Sequence, residues 1–432
     1  MWDFSTEPEF QEKLTWMKKF IHEEVDALDA LFPSVAVVYD PSHQASRRIL
    51  KPLQDKVKAQ GLWACHLGPE LGGKGYGQLK LALMNEIIGR SIWAPTVFGT
   101  AAPDTGNAEI LAMFGTQAQK ARYLQPLLDG DIVSCFSMTE PQAGADPGEF
   151  TTRADRDDEG WVLNGEKWFS SNARYASFLL VLAVTNPDAP LRQRMSMFIV
   201  PRESAGLTTV RDVPHMTESL ALDEATEGYL RYENVRLPPD ALLGNEGEGF
   251  AVAQARLGGG RIHHAMRTVG QCQRALDMMC ERALSRRAKG NLLADKQTVQ
   301  SMIADSHIEL EQFRLLVLRT AWIIDQSHDD PRPARKHIAM VKVATARVYH
   351  DIVHRALHLH GSLGTTMELP LAYMWMHVPT MAIADGPTEV HRFTVARELL
   401  QDYQPAKGLF PSEHLPPKEQ AARERYAHLL AS

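Results

Sequence analysis

Long apolar runs are missing from this 432-residue chain. No stretch of 18 apolar residues occurs, so there is no candidate for a membrane span. The opening Met1-Trp2-Asp3-Phe4-Ser5 lacks the charged-then-apolar pattern of a secretory signal. Cysteine is scarce: Cys65, Cys135, Cys272 and Cys280 are scattered, with no C-x-x-C. That suits a reducing compartment and argues against a zinc knuckle. A cytoplasmic location is the simplest expectation. Basic charge is in deficit, 46 Lys and Arg against 53 Asp and Glu, and the net charge of −7 argues against nucleic acid as the main partner. Arg286-Arg287 with Lys289 is the densest local basic cluster and could still hold a phosphate.

Several familiar site signatures are also missing. No G-x-G-x-x-G follows a strand pattern, which argues against a Rossmann dinucleotide site. Gly68-Pro69-Glu70-Leu71-Gly72-Gly73-Lys74 has P-loop spacing, but Gly75 stands where a Ser or Thr would hold magnesium. No G-x-S-x-G elbow surrounds any serine, so a Ser171-His66-Asp hydrolase triad has nothing specific behind it. His350, His354 and His358 share a helix face, but polar positions in a packed bundle account for them better than a metal does.

What is present is an ordinary globular composition, 44% hydrophobic and 23% charged, in a chain long enough for two or three domains. Leu14, Met17, Phe20, Ile21, Val25 and Leu28 fall on one helical stripe, as do Leu81, Met84, Ile87 and Ile88. Residues 1–135 are therefore expected to form a helical domain. Over 136–245 the period changes to two. Thr151 to Arg156 precedes a turn at Asp157-Asp158-Glu159-Gly160, and Trp161 to Leu163 precedes Asn164-Gly165, a strong hairpin signal. Helices return over 246–402: one traced by Ile262, Met266, Val269, Gln273, Leu276 and Met279, then about 297–327, 334–360 and 387–402. Four long helices with short connections suggest an antiparallel bundle. The Pro-rich tail 403–432 reads as extended. The fold class is α+β: helical, then a β-sheet or barrel domain, then a four-helix bundle.

Two distant segments carry the chemistry. One is Ser137-Met138-Thr139-Glu140-Pro141-Gln142-Ala143-Gly144-Ala145-Asp146. The other is Ala384-Asp385-Gly386-Pro387-Thr388-Glu389-Val390-His391-Arg392. About 25 residues after the first comes Asn164-Gly165-Glu166-Lys167-Trp168-Phe169-Ser170-Ser171-Asn172. Together with Leu257-Gly258-Gly259-Gly260-Arg261-Ile262-His263-His264, Arg286-Arg287-Ala288-Lys289-Gly290 with Gln297, and His358-Leu359-His360-Gly361-Ser362-Leu363-Gly364, these occur in one order across residues 5–400. In that order they resemble the acyl-CoA dehydrogenases, nearest the subgroup of mammalian family members ten and eleven and their bacterial relatives.

The resemblance implies FAD as cofactor and an acyl-CoA as substrate. It places Phe136, Met138 and Thr139 along the flavin pyrimidine edge. Phe169 becomes the stacking aromatic, flanked by Ser170, and Ser171 the hydroxyl that meets flavin N5. Arg286, Gln297, His358, Gly361 and Ser362 would reach a partner subunit's FAD, which requires a homodimer or homotetramer. Pro387, Thr388 and Glu389 complete the cofactor contacts. Ala145, Arg261 and Gly386 line the substrate, and Asp385 is the catalytic base. Electrons would leave to an electron-transfer flavoprotein. An acyl-CoA oxidase, another flavoenzyme of this fold and a non-catalytic partner subunit are the alternatives. Departures from the family pattern are Ala145 for Ser, Lys289 for Phe, His358 for Gln and Asp385 for Glu. The alternative base position of a minority of members falls on Gly260, which cannot serve. Three consecutive glycines at 258–260 are expected to leave room beside the substrate α-carbon.

Overall fold

The computed structural model describes residues 4–32, 37, 40, 43–68, 73–144, 146–218, 225–327 and 332–431. Ala145 and part of the P-loop-like segment, residues 69–72, lie outside them.

The N-terminal region is helical. Helix α1 (Pro8–Phe20) buries Leu14, Met17 and Phe20 of the stripe its periodicity predicts, and Phe10 beside them. Helices α2 (Gln44–Ala59), α3 (Gly77–Ile88) and α4 (Asp104–Phe114) follow. Leu81, Met84, Ile87 and Ile88 of α3 join the core around α1 and Trp93.

Eight strands form the middle sheet: β1 (Ser134–Ser137), β2 (Arg153–Asp157), β3 (Gly160–Ser171), β4 (Phe178–Val184), β5 (Met195–Pro201), β6 (Leu207–Val213), β7 (Glu227–Leu237) and β8 (Leu242–Leu243). Their order is β6-β7-β3-β1-β4-β5-β8, with β2 against β3 and β4. All seven residues of β4 are buried, as its unbroken apolar run requires when both faces are covered. Each buried Phe, Leu and Val side chain there contributes roughly 1.5–3 kcal/mol.

Asn164-Gly165 is not a hairpin turn. It lies inside β3, at a register shift against β7. Gly165 has φ 141, and a β-carbon there would lie 2.5 Å from Thr152 Oγ1. The glycine serves a bulge and a close backbone approach. Asn164 Oδ1 accepts the Asn234 N–H at 2.8 Å instead of capping a turn. The chain reverses at Asp157–Gly160, where Asp157 Oδ1 accepts the Glu159 and Gly160 N–H groups.

Helix α5 (Gly249–Ser285) is 37 residues long and packs against α3, α4 and the bundle partners α6 (Gln297–Gln326) and α7 (Arg332–His360). The bundle also contains a helix the sequence reading passes over, α8 (Pro370–Ile383), packed on α7. Pro370 sits in its first turn, where a missing N–H costs nothing. Helix α9 (Thr388–Leu400) follows the Asp385 loop. The tail is not simply extended: α10 (Leu415–Arg425) begins with Pro416-Pro417 in its first turn, and its residues are exposed. No helix among the described residues is long and apolar enough to cross a membrane.

Candidate active site

The sheet side of the site is held by one buried ion pair. Glu140 follows β1 and Lys167 lies in β3; both side chains are fully buried, with Nζ 2.8 Å from Glu140 Oε1. Thr152 N–H also donates to Oε1, at 3.0 Å, and Thr151 N–H donates to Oε2 at 2.7 Å. Burial alone would raise the Glu140 carboxyl, but the Lys167 charge and these hydrogen bonds outweigh it and hold it at about 2. Lys167 Nζ donates to the Met138 carbonyl at 2.7 Å, and Trp168 N–H to the Thr139 carbonyl at 3.0 Å. The M-T-E-P segment and the N-G-x-K segment are thus parts of one assembly. Their charged members pair with each other, and the backbone between them is locked.

Beyond Lys167, β3 ends in four residues with different fates. Phe169 has φ 48 and is 43% exposed, beside Trp168 with ring centroids 4.6 Å apart. Trp168 Nε1 is buried with no hydrogen-bond partner. The Ser170 hydroxyl turns inward and meets Ser137 Oγ at 2.9 Å. Ser171 Oγ donates to Glu227 Oε1 at 2.8 Å. Phe136 is nearly buried, and the Arg256 guanidinium lies 3.8 Å from its ring centroid. Its ring is therefore already covered on that side.

The bundle side centres on Asp385, between α8 and α9. Asp385 has φ 58 and Gly386 φ 104, so two consecutive left-handed residues turn the chain. Asp is among the few side chains that tolerate this region. Its carbonyl accepts from Arg261 Nε at 2.8 Å and faces His391 Nε2 at 3.3 Å. Pro387 caps α9, Thr388 Oγ1 donates to the Ala382 carbonyl at 3.2 Å, and Glu389 is exposed in the first turn.

The three glycines do not leave the room expected of them. A β-carbon on Gly260 would lie 2.8 Å from Asp385 Oδ2, and one on Gly259 would lie 2.9 Å from Glu109 Oε2. Only at Gly258 is nothing met within 4 Å. Two carboxylates occupy the space that the missing side chains vacate.

Cations surround Asp385. Burial depresses Arg261, Arg256, Arg267 (to about 10) and Lys342 (to about 8), and the Asp385 charge opposes the fall in each. Burial also holds His66 and His377 at about 4, His263 at about 3 and His264 well below its ordinary value. These imidazoles are neutral at pH 7. His264 Nε2, 3.7 Å from Asp385 Oδ2, is therefore a polar neighbour and not an ion-pair partner. Burial pushes Glu109 up to about 7, with Arg256 opposing. Sequence reasoning missed Glu109, Arg256 and Glu227, because none belongs to a contiguous motif.

A second group forms at the end of α5. Arg286 is exposed beyond the helix, with its Nη1 3.6 Å from where a Gly361 β-carbon would be. Gln297, His358, Gly361 and Ser362 are also exposed. The rings of His350, His354 and His358 pack in series, with centroids 5.5 and 4.5 Å apart. Among the described residues no group of three His, Cys, Asp or Glu could hold a metal.

Family models for the acyl-CoA dehydrogenase N-terminal, middle and C-terminal domains match residues 19–131, 135–235 and 247–400. The chain is 41% identical over 399 residues to the probable acyl-CoA dehydrogenase FadE2 of Mycobacterium tuberculosis, covering 91% of this chain and 96% of that one. It is 38% identical over 406 residues to acyl-CoA dehydrogenase family member 11 of Mus musculus, covering 91% of this chain but only 50% of that longer protein. A solved acyl-CoA dehydrogenase homologue from Mycobacterium abscessus superposes with a TM-score of 0.83 at 35% identity, covering 93% of this chain and 100% of that one. With all three domains matched in order and the sheet and bundle arranged as described, this chain belongs to the acyl-CoA dehydrogenase family.

Proposed function

We propose that the chain removes the α-proton and the β-hydride of an acyl-CoA thioester to give the 2-enoyl-CoA, with Asp385 as the base. The observation that carries this reading is the Asp385 loop. A carboxylate only 15% exposed sits on a left-handed residue, with its backbone pinned by Arg261 and His391 and Gly260 beneath it. A group held this firmly can meet a substrate carbon within the narrow tolerance that proton abstraction allows.

The cofactor is FAD, as in the family. The sheet side fits it: an aromatic with an open face at Phe169, a hydroxyl at Ser171, and an unpartnered indole N–H at Trp168. When bound, FAD would supply the two-electron acceptor for the β-hydrogen. Phe169 offers the stacking surface. Met138 and Thr139 present backbone fixed by Lys167 and Trp168. Asp385 takes the α-proton, and its backbone N–H would meet enolate charge developing on the thioester oxygen. Arg256, Arg261, Arg267 and Lys342 place positive charge around the carboxylate that would accept that proton.

Arg286, Gln297, His358, Gly361 and Ser362 form a separate exposed group, suited to the FAD of a second subunit in a homodimer or homotetramer. Electrons then pass to an electron-transfer flavoprotein. The test is anaerobic mixing of the purified yellow protein with a panel of acyl-CoAs. Flavin bleaching and enoyl-CoA formation without oxygen uptake support the reading. No bleaching by any acyl-CoA would overturn it.

A further inference from the structure

The Ser171 hydroxyl is not free to choose its hydrogen-bond role. Ser171 and Glu227 face each other across β3 and β7, and on its other side Ser171 faces Phe136 of β1. Ser171 Oγ and His215 Nε2 both lie on one oxygen of Glu227, at 2.8 and 3.2 Å. The Ser171 hydroxyl donates to that oxygen, which accepts through its lone pairs. The other oxygen, Oε2, is buried with no hydrogen-bond partner. A residue kept only to fill the sheet would not carry a buried carboxylate with one oxygen unsatisfied, because that arrangement destabilises the fold. Glu227 belongs to no motif that defines the site.

We propose that Glu227, braced by His215, is a positioning residue that commits the single Ser171 proton to itself and leaves Ser171 able to act toward the flavin only as an acceptor. The inference rests on the reading above that Ser171 faces N5. An oxidised flavin has no hydrogen at N5, whereas a reduced one carries N–H there. Ser171 held in this way cannot donate to the oxidised ring without leaving Glu227, but it can receive the N–H of the reduced ring. The pair therefore favours the reduced state and draws electrons from the substrate. His215 is drawn toward its protonated form by its bond to Glu227, which offsets the negative charge the carboxylate would otherwise place beside the ring.

The experiment is anaerobic redox titration of the bound flavin in wild type, Ser171→Ala, Glu227→Ala and the double variant, with flavin content measured for each. Ser171→Ala should shift the reduced-to-oxidised equilibrium toward oxidised by roughly three- to tenfold, the worth of one neutral hydrogen bond. Glu227→Ala should shift the flavin further toward oxidised when Ser171 is present than when it is absent. A shift toward reduced on Ser171→Ala would overturn the proposal. So would identical Glu227→Ala shifts in both backgrounds, since Glu227 would then act only as a nearby charge. If Glu227→Ala does not fold, the sign of the Ser171→Ala shift still decides. Wild-type protein without flavin would instead overturn the functional reading beneath it.

Discussion

Asp385 Oδ2 lies 2.8 Å from the point where Gly260 would carry a β-carbon. The two positions where a base could stand in this architecture, the loop and the bundle helix, are thus in contact. The Asp385 carboxylate fills the space that Gly260 leaves open. Gly260 sits inside α5, where glycine costs roughly 0.5–1 kcal/mol relative to alanine. That cost is tolerated because any side chain would displace the carboxylate.

Gly260→Ala should therefore raise or maintain thermal stability, keep FAD and lose turnover. A displacement of about 1 Å can cost about 10²-fold in rate. Gly258→Ala, with nothing within 4 Å, is the matched control and should leave kcat nearly unchanged. Thermal melts and steady-state rates on the two variants check this. Equal effects would show that helix flexibility, and not contact with Asp385, is what the glycines provide.

Removing one member of the Glu140–Lys167 pair should destabilise the chain by about 3–5 kcal/mol, because the partner is left charged and buried. Lys167→Met and Glu140→Gln both apply, and denaturant melts measure the loss. The Glu140 carboxyl lies below its unfolded value, so its contribution is present above about pH 4.5 and is lost as pH falls toward about 2. Wild type should lose stability across that window and Glu140→Gln should lose less.

Glu109 has the opposite sign. Its folded value is raised to about 7, so its protonated form is favoured by folding. The stability it contributes is full below about pH 4.5 and is lost as pH rises through about 7. Glu109→Gln should flatten the stability profile between those values while leaving the acid limb set by Glu140. An unchanged slope between pH 5 and 7 would count against it.

Arg286→Ala should weaken FAD retention, and so should dilution of the wild type, if the exposed group at the end of α5 serves a second subunit's cofactor. Flavin loss on gel filtration at falling concentration reads both. A monomer that stays yellow on dilution would contradict the assignment.

The Asp385 loop was legible because Ala384-Asp385-Gly386-Pro387 is local: a carboxylate, a glycine and a helix start in four residues. The same holds for the helical stripe of Leu14, Met17 and Phe20. Asn164-Gly165 misled because a glycine required by a bulge and one required by a turn read alike. What separates them is Thr152, 2.5 Å from the missing β-carbon and 13 residues away in the chain. Helix α8 was hidden by Pro370 in its first turn and Pro379 in its interior, and α10 by Pro416-Pro417, since a proline reads as a break although in a first turn it starts a helix as readily as it ends one. Gly259 and Gly260 read as open space because a sequence shows missing side chains and not the carboxylates that enter from elsewhere. Glu109, Arg256 and Glu227 take their meaning from partners on other elements.

The most direct measurement of the central claim is the anaerobic reduction of bound flavin by acyl-CoA, followed by stopped flow, in wild type and Asp385→Asn. The amide keeps the size of the side chain and removes its basicity. With Asp385 as the α-proton base, the variant should bind FAD normally and reduce it at least about 10²–10⁴-fold more slowly. Flavin reduction at the wild-type rate in Asp385→Asn would contradict the account.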